Sequence, residues 1–453
     1  MSLTMRNYAS YFTYKEYESD VDSGVVRFRY ELGHLGKKYE FTEVLSFPSP
    51  PHGRNVRPED TTLHAILDSL HIILGISYWK LTCPRDIRVL SQQLNEKQAT
   101  FWNTVYTKGL GEFFYKNSID FRGLVQFPFI RRTIDTPVSK ITTDRSLVLL
   151  GSGKDSIVSA ELLKKAGKIF SLFSMNPRLV HTETAGLIGK PLYTIHRAID
   201  PKLFELNRKQ GMYNGHIPIT AITSLVGVLA AHLYDFRYVI SSNEQSANFG
   251  NVDYRGSQIN HQWSKSYEFE TLFGDFVREF ITGDIGYFSL LRSFTELHIV
   301  KLFASYSQYF DVFSSCNKNF KISQTDQPAR WCGICPKCAF VFLLLAVFLP
   351  KEKVVSIFHK NLFADEKLIS TYKALLGLEG IKPFECVGTP QESLYAFSRV
   401  VEEGRYNDDV VVREFLPDIV SLTKDKTISS GKLFGLSGEN HIPPEFAQVV
   451  QNL

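Results

Sequence analysis

The sequence of 453 residues predicts an α/β fold, with a parallel-sheet central domain between an α+β N-terminal domain and a mostly helical C-terminal region. Three observations predict it: hairpin patterning near the start, alternating strands and helices in the middle, and helical periodicity towards the end. The chain exceeds the roughly 250 to 300 residues at which a single core stops growing, so several domains are expected. We place them at residues 1–140, 146–350 and 351–453.

The N-terminal domain begins with a predicted hairpin. Residues 25–32 (VVRFRYEL) and 39–47 (YEFTEVLSF) alternate apolar and polar side chains around a turn that contains glycine. Two segments with apolar residues at helical spacing follow, at 63–80 and at 95–116. The polar, proline-containing segment 132–145 then predicts a linker.

The central domain alternates between strand and helix patterns, which is typical of a parallel sheet covered by helices. The predicted strands and helices are 146–151, 155–166, 169–175, 191–196, 219–235 and 237–243. Ligands of such sheets bind beyond the carboxyl ends of the strands. The polar segments 176–182, 197–216 and 243–266 are therefore expected to meet at one cleft.

The C-terminal region reads as mostly helical. Its clearest signal is Thr389-Pro390-Gln391-Glu392, a capping box with proline at the first helical position, which predicts that a helix begins there.

Composition argues against two classes of partner. Lys and Arg together number 51 against 47 for Asp and Glu, so nothing indicates binding to nucleic acid. The longest nearly continuous apolar run, residues 339–349, is shorter than the roughly 18 residues of a membrane-spanning helix. The first residues show no apolar run of the signal-peptide kind. We expect a cytoplasmic protein without a membrane or nucleic-acid partner.

A candidate anion site lies between the first central strand and its helix. Gly151, Ser152, Gly153, Lys154, Asp155 and Ser156 form a turn that brings backbone N–H groups to the positive end of the helix dipole. A Walker A loop requires glycine where Val148 stands, and the dinucleotide fingerprint requires glycine where Ser156 stands. The turn thus predicts phosphate binding of another kind, and a tight turn without a ligand is the alternative.

Four of the six cysteines form a candidate metal site. Cys316, Cys332, Cys335 and Cys338 have a spacing that can fold around one tetrahedral ion. We expect structural Zn²⁺, with an iron–sulfur cluster or buried free thiols as alternatives. Cys83 and Cys386 stand alone, and we assign them no role.

The turn resembles the PP-loop of ATP pyrophosphatases, whose pattern is Ser-Gly-Gly-x-Asp-Ser. Residues 151–156 match it in register and depart at the first two positions, where small residues are kept. The resemblance implies an adenine nucleotide alpha hydrolase-like fold, a grip on the β and γ phosphates of ATP, and attack by a substrate oxygen on the α phosphorus. Asp155 would then help to hold Mg²⁺, which prefers oxygen ligands. Relatives that make deazapurine nitriles carry a similar zinc cluster.

Nearly the whole chain resembles the ATP-dependent epimerases of UDP-N-acetylmuramoyl-L-alanyl-L-glutamate, which act in bacterial cell-wall synthesis. The resemblance rests on LGISYWK (74–80), GSGKDS (151–156), NGHIPITAI (214–222), SSNEQSANFGN (241–251), NHQWSKSYEFE (260–270), WCGICPKCAF (331–340) and PFECVGTPQES (383–393). It implies inversion of the terminal L-glutamate through an acyl-adenylate, with AMP and pyrophosphate as products. ATP and the UDP-linked muramoyl dipeptide would be the small-molecule partners.

Inversion at a carbon atom requires acid–base groups with pKa values near neutrality. The candidates in the expected cleft are His216, Glu244, Asp253, His261 and Lys265, the last of which can also stabilise charge. Each also has a structural interpretation, such as a helix-end hydrogen bond for His216 or a metal ligand role for Glu244.

Two other functions stay open at this point. One is a different adenylating enzyme of the same superfamily, making a nitrile, an amide or a thiolated tRNA. The other is a nucleotide-binding protein without catalytic activity, in which the loop and the cysteines are only structural.

Overall fold

A computed structural model shows the fold. It describes residues 10–48, 59–131, 137, 141–318, 330–424, 430–436 and 438–451. Most of the expected linker at 132–145 falls outside these residues. In the described part, no helix combines the length and the apolar character that crossing a bilayer requires.

Nine of the eleven described strands form one sheet in the order β11-β8-β5-β6-β7-β3-β2-β1-β4, and β9 pairs with β10 in a separate hairpin. The strands are β1 (Tyr11–Asp20), β2 (Val25–His34), β3 (Lys37–Ser46), β4 (Asp86–Val89), β5 (Ser146–Leu149), β6 (Phe170–Met175), β7 (Leu192–Ala198), β8 (Tyr238–Ser241), β9 (Val252–Tyr254), β10 (Ser257–Ile259) and β11 (Gly286–Ser289).

The strands from β11 to β7 are all parallel, which confirms the predicted α/β class. Apolar side chains on them, such as those of Leu147, Val148, Leu172 and Ile240, are fully buried, as expected for a sheet covered on both faces. Their carboxyl ends lie at one edge of the sheet, where a ligand site is expected.

The predicted N-terminal hairpin is confirmed as β2 and β3, and it continues the same sheet. Residues Val44 to Ser46 of β3 pair antiparallel with His196 to Ala198 of β7. The buried Arg197 donates to Glu43 across this junction, with 2.6 Å between Nε and Oε1, and to Ser77 Oγ at 2.9 Å. Segments on both sides of residue 140 therefore share one sheet, and the division of the chain into three domains stays a prediction.

Helices cover both faces of the sheet and make up most of the C-terminal region. They are α1 (Thr61–Trp79), α2 (Glu96–Gly109), α3 (Gly111–Lys116), α4 (Lys154–Lys165), α5 (Leu179–Ile188), α6 (Lys202–Leu206), α7 (Ile219–Tyr234), α8 (Tyr267–Phe276), α9 (Glu296–Phe303), α10 (Pro336–Phe348), α11 (Lys351–Phe358), α12 (Ile369–Leu375), α13 (Pro390–Glu403), α14 (Val410–Lys424), α15 (Ser430–Phe434) and α16 (Pro444–Gln451).

The C-terminal helices are organised around α10, whose side chains from Lys337 to Val347 are all buried. It packs against α9, α12 and α13. Thr389 caps α13 in the predicted capping box, with its hydroxyl accepting from the Glu392 N–H and the Glu392 side chain accepting in return. This confirms the helical character of the region after residue 351.

Candidate active site and metal centre

The loop 151–156 connects β5 to α4. Gly153 is the N-cap residue of helix α4. Since glycine has no side chain, it offers no side-chain acceptor to the first N–H groups of the helix. A Cβ on Gly153 would lie 3.3 Å from Ser315 Cβ, a tight contact that glycine avoids. An uncapped helix start of this kind attracts an anion.

Ser152 has a left-handed backbone with a φ of 56°, at the position where the PP-loop pattern has glycine. We expect Ser152→Gly to raise the free energy of unfolding by about 0.5–1 kcal/mol, because glycine adopts this conformation without strain. Urea denaturation without nucleotide measures the change. Ser152→Ala is the control, since it removes the hydroxyl but keeps the strained Cβ; equal effects of the two variants would contradict the expectation.

The loop opens into a cavity of about 350 Å³, called the loop cavity below. Gly151, Gly153, Asp155 and Ser156 line one side. The remaining lining includes Ser174, Thr220, Thr223, Ser241, Ser242, Asn243, Lys265, Ser315, Asn317, Lys337 and Cys386. Within the described part of the chain, the buried hydroxyls of Ser242 and Ser315 have no hydrogen-bond partner and are therefore available to a ligand.

Three carboxylates meet beside the loop. Asp155, Glu244 and Glu296 follow β5, β8 and β11, which are neighbours in the sheet, and their oxygens lie within 4.8 Å of one another. Hard oxygen donors in this arrangement fit a magnesium ion. The sequence predicted Asp155 and Glu244, but it missed Glu296 because the short strand β11 gave no clear pattern.

Two buried lysines form ion pairs with two of these carboxylates, Asp155 and Glu296. The ammonium of Lys154 contacts both Asp155 and Glu296, and Lys337 Nζ lies 3.2 Å from the other oxygen of Glu296. Burial would raise the pKa of Glu296, but the charges of Lys154 and Lys337 lower it to about 2. Burial and the charge of Glu296 raise the pKa of Glu244 to about 7.

A second polar cluster joins three distant chain segments. His261 Nδ1 donates to Glu112 Oε2 at 2.5 Å, and His216 Nδ1 lies 3.4 Å from the same oxygen. On the other side of the imidazole, Cys386 Sγ lies 4.0 Å from His261 Nε2. The predicted residues His216 and His261 are therefore brought together, with two partners, Glu112 and Cys386, that the sequence analysis missed.

Cys386 is half-buried and lines the loop cavity, as does Lys265. Burial alone would raise the pKa of the Cys386 thiol, but Lys265, His261 and Lys337 lower it to about 5. Burial would lower the pKa of His261, yet Cys386 and Glu112 raise it to about 9. These opposite shifts favour a thiolate beside an imidazolium at neutral pH. Burial lowers the pKa of His216 to about 3, which keeps that ring neutral.

The structure does not bring Asp253 to these clusters. It lies on β9 with an exposed side chain, opposite Gln258 of β10, and it does not line the loop cavity.

The four predicted cysteines converge on one point. The sulfurs of Cys316, Cys332, Cys335 and Cys338 lie within 4.8 Å of one another. Cys338 Sγ is 3.7 Å from Cys332 Sγ and 3.5 Å from Cys335 Sγ. Four thiolates bound to one zinc ion stand about 3.8 Å apart, since each Zn–S bond is about 2.3 Å long. The thiols therefore fit the geometry of a closed metal site.

The cysteine site is built into the wall of the loop cavity. Ser315 and Asn317, on either side of Cys316, line the cavity, as does Lys337 next to Cys338. Ser314 N donates to Ser152 O at 3.0 Å, which joins the cysteine segment directly to the loop 151–156. A metal here would hold one wall of the cavity in place.

Two family models together match most of the sequence. One described as the MurL N-terminal domain matches residues 4–290, and one described as the MurL C-terminal domain matches residues 312–429. The chain belongs to the MurL family. This confirms the resemblance that its sequence motifs indicated.

Relatives with curated names agree. A protein of Micromonospora sp. named UDP-N-acetyl-alpha-D-muramoyl-L-alanyl-L-glutamate epimerase is 42% identical over 444 residues, which is 97% of each chain. Proteins with the same name from Xanthomonas oryzae pv. oryzae and Salinispora tropica are 37% and 40% identical, cover 98% of this chain, and are themselves covered over 97% and 96% of their lengths. The chain is thus an enzyme of the isomerase class.

Proposed function

We propose that this enzyme inverts the terminal L-glutamate of UDP-N-acetylmuramoyl-L-alanyl-L-glutamate in an ATP-dependent reaction that passes through an acyl-adenylate. AMP and pyrophosphate would be released, and the product would be a cytoplasmic precursor of peptidoglycan. The observation that carries the proposal is the uncapped loop 151–156 opening into a cavity beside three clustered carboxylates. The family membership and the names of the relatives support the choice of substrate.

Adenylation explains why ATP is needed. A free α-carboxylate resists loss of the neighbouring proton, because the resulting carbanion would gather two negative charges on one group. An acyl-adenylate lacks that charge, and its carbonyl accepts the electron pair. The glutamate nitrogen of the dipeptide is already an amide, so a pyridoxal Schiff base cannot form there.

Each part of the loop cavity has a proposed role. The N–H groups of residues 151–156 would bind the β and γ phosphates of ATP. Asp155, Glu244 and Glu296 would hold Mg²⁺, which neutralises the phosphate oxygens during displacement of pyrophosphate. Lys265 and Lys337, which also line the cavity, would stabilise the developing negative charge. The four cysteines would hold a structural Zn²⁺ that takes no part in the chemistry.

The test uses the purified enzyme with ATP, Mg²⁺ and the L-glutamate substrate. We expect AMP and pyrophosphate to form only when the nucleotide-linked dipeptide is present, and chiral analysis of the released glutamate to show the D-isomer. Formation of ADP would refute the adenylate. AMP formation that ignores this substrate would indicate a different adenylating enzyme.

A further inference from the structure

Cys386 faces the loop cavity from a segment that is fixed on three sides. Asn251 Nδ2 donates to Pro383 O at 2.8 Å, and Gln262 Nε2 donates to Val387 O at 3.0 Å. Lys337 N donates to Glu385 Oε2 at 2.8 Å. A residue held in this way has a fixed position relative to the loop, which is a requirement for a catalytic group.

The cysteine also has the partners that activate a thiol. The His261 imidazole lies between Cys386 Sγ and Glu112 Oε2, with separations of 4.0 Å and 2.5 Å. The carboxylate fixes the ring by accepting from Nδ1, so that Nε2 faces the sulfur. Lys265, in the same cavity, adds a second positive charge near the thiolate. A thiolate beside a cation accepts and returns protons at neutral pH.

We propose that Cys386 is a catalytic acid–base group for inversion, acting on one face of the glutamate α carbon, with His261 and Glu112 as positioning residues. This inference rests on the proposed adenylation. The thiolate accepts the α proton, the S–H bond forms as the C–H bond breaks, and the electron pair moves into the acyl-adenylate carbonyl to give an enolate. A protonated group on the opposite face returns a proton to the α carbon, and exchange with water restores both groups before hydrolysis releases AMP.

The experiment separates adenylation from inversion. The full-length enzyme is incubated in D₂O with ATP, Mg²⁺ and the L-glutamate substrate. Exchange of labelled pyrophosphate into ATP reports adenylation, and deuterium at the α carbon of D-glutamate reports inversion. For Cys386→Ala and Cys386→Ser we expect inversion to fall by about 100-fold or more, since acid–base groups contribute about 10²–10⁴-fold, while pyrophosphate exchange stays within a few-fold. Cys83→Ser, at a buried cysteine of the N-terminal core, is the matched control and should keep both.

Alkylation provides a second measurement that does not depend on a variant. We expect iodoacetamide to modify Cys386 in the wild-type enzyme and to abolish inversion, with protection by ATP plus substrate. Glu112→Gln should slow this alkylation by about tenfold, because the imidazolium loses its partner and the thiolate its stabilising charge. Glu112→Gln should also slow inversion more than it slows pyrophosphate exchange. A purely structural defect would lower both activities equally.

Several outcomes would overturn the assignment. Inversion at the wild-type rate in Cys386→Ala would do so, as would an equal loss of both activities in both Cys386 variants. A substrate acyl group trapped on Cys386 would show a thioester nucleophile instead. A second bound metal that Glu112→Gln removes would show that Glu112, His216 and His261 form a metal site. Absence of pyrophosphate exchange in the wild type would instead refute the proposed function itself.

Discussion

Asp155→Asn is expected to lower the rate of pyrophosphate exchange by about 100- to 1,000-fold without lowering the melting temperature by more than a few degrees. The side chain is only partly buried, and asparagine keeps its shape, so folding should tolerate the change. Removal of its charge weakens the proposed cation site at the moment when the phosphates are displaced. Exchange assays at increasing Mg²⁺ concentration and a thermal melt of the same sample measure the two quantities.

Asp155 is a better probe than its neighbour Glu296. Both oxygens of Glu296 contact buried lysines, so its neutralisation would remove the ion pair of Lys337 and one of the two carboxylates that Lys154 contacts, and would destabilise the fold. Asp144→Asn serves as the control, because Asp144 is 86% exposed and pairs only with the exposed Arg237 in the described structure. Pyrophosphate exchange at the wild-type rate in Asp155→Asn would contradict the proposed role of the loop in catalysis.

Cys335→Ser is expected to abolish binding of the proposed metal, to destabilise the protein by at least about 4 kcal/mol, and to abolish ATP binding. ATP binding should be lost because Ser315, Asn317 and Lys337 line the loop cavity and are next to the clustered cysteines in the sequence. Elemental analysis of protein purified without added ions should give one zinc per wild-type chain and none for the variant. Calorimetry with ATP measures the loss of binding.

Cys83→Ser again provides the matched control, since this buried cysteine lies outside the cluster. It should keep one zinc per chain. If the analysis finds iron and the protein has the brown colour of an iron–sulfur cluster, the four cysteines still form a metal site, but its occupant is not zinc. A wild-type protein with no metal at all, and with full stability, would contradict the proposed centre.

Features that depend on neighbouring residues could be predicted from the sequence. The loop 151–156 is a short segment between a strand and a helix. The predicted start of that helix, residue 155, is one residue from the observed start of α4 at Lys154. The hairpin of β2 and β3, the capping box at Thr389 and the spacing of the four cysteines are equally local. The α/β class followed because the parallel strands carry apolar runs separated by helices.

Features that depend on residues far apart in the sequence could not be predicted. His261 is separated from Glu112 by 149 positions and from Cys386 by 125, and no periodicity relates the three. Cys386 therefore looked like an isolated cysteine, although the fold gives it a cationic environment. Strands β1 and β4 were missed too, because β1 is interrupted by a register shift between Tyr14 and Tyr17 and β4 has four residues.

The junction of β3 with β7 has a consequence for any shortened form of the enzyme. Without the residues before 146, β7 would be the last strand of the parallel sheet, and its unpaired N–H and C=O groups would be open to a strand from another molecule. The N-terminal strands thus cover the edge through which residues 146–453 alone could associate with one another. Expression of residues 146–453 alone should yield aggregates rather than a smaller working enzyme.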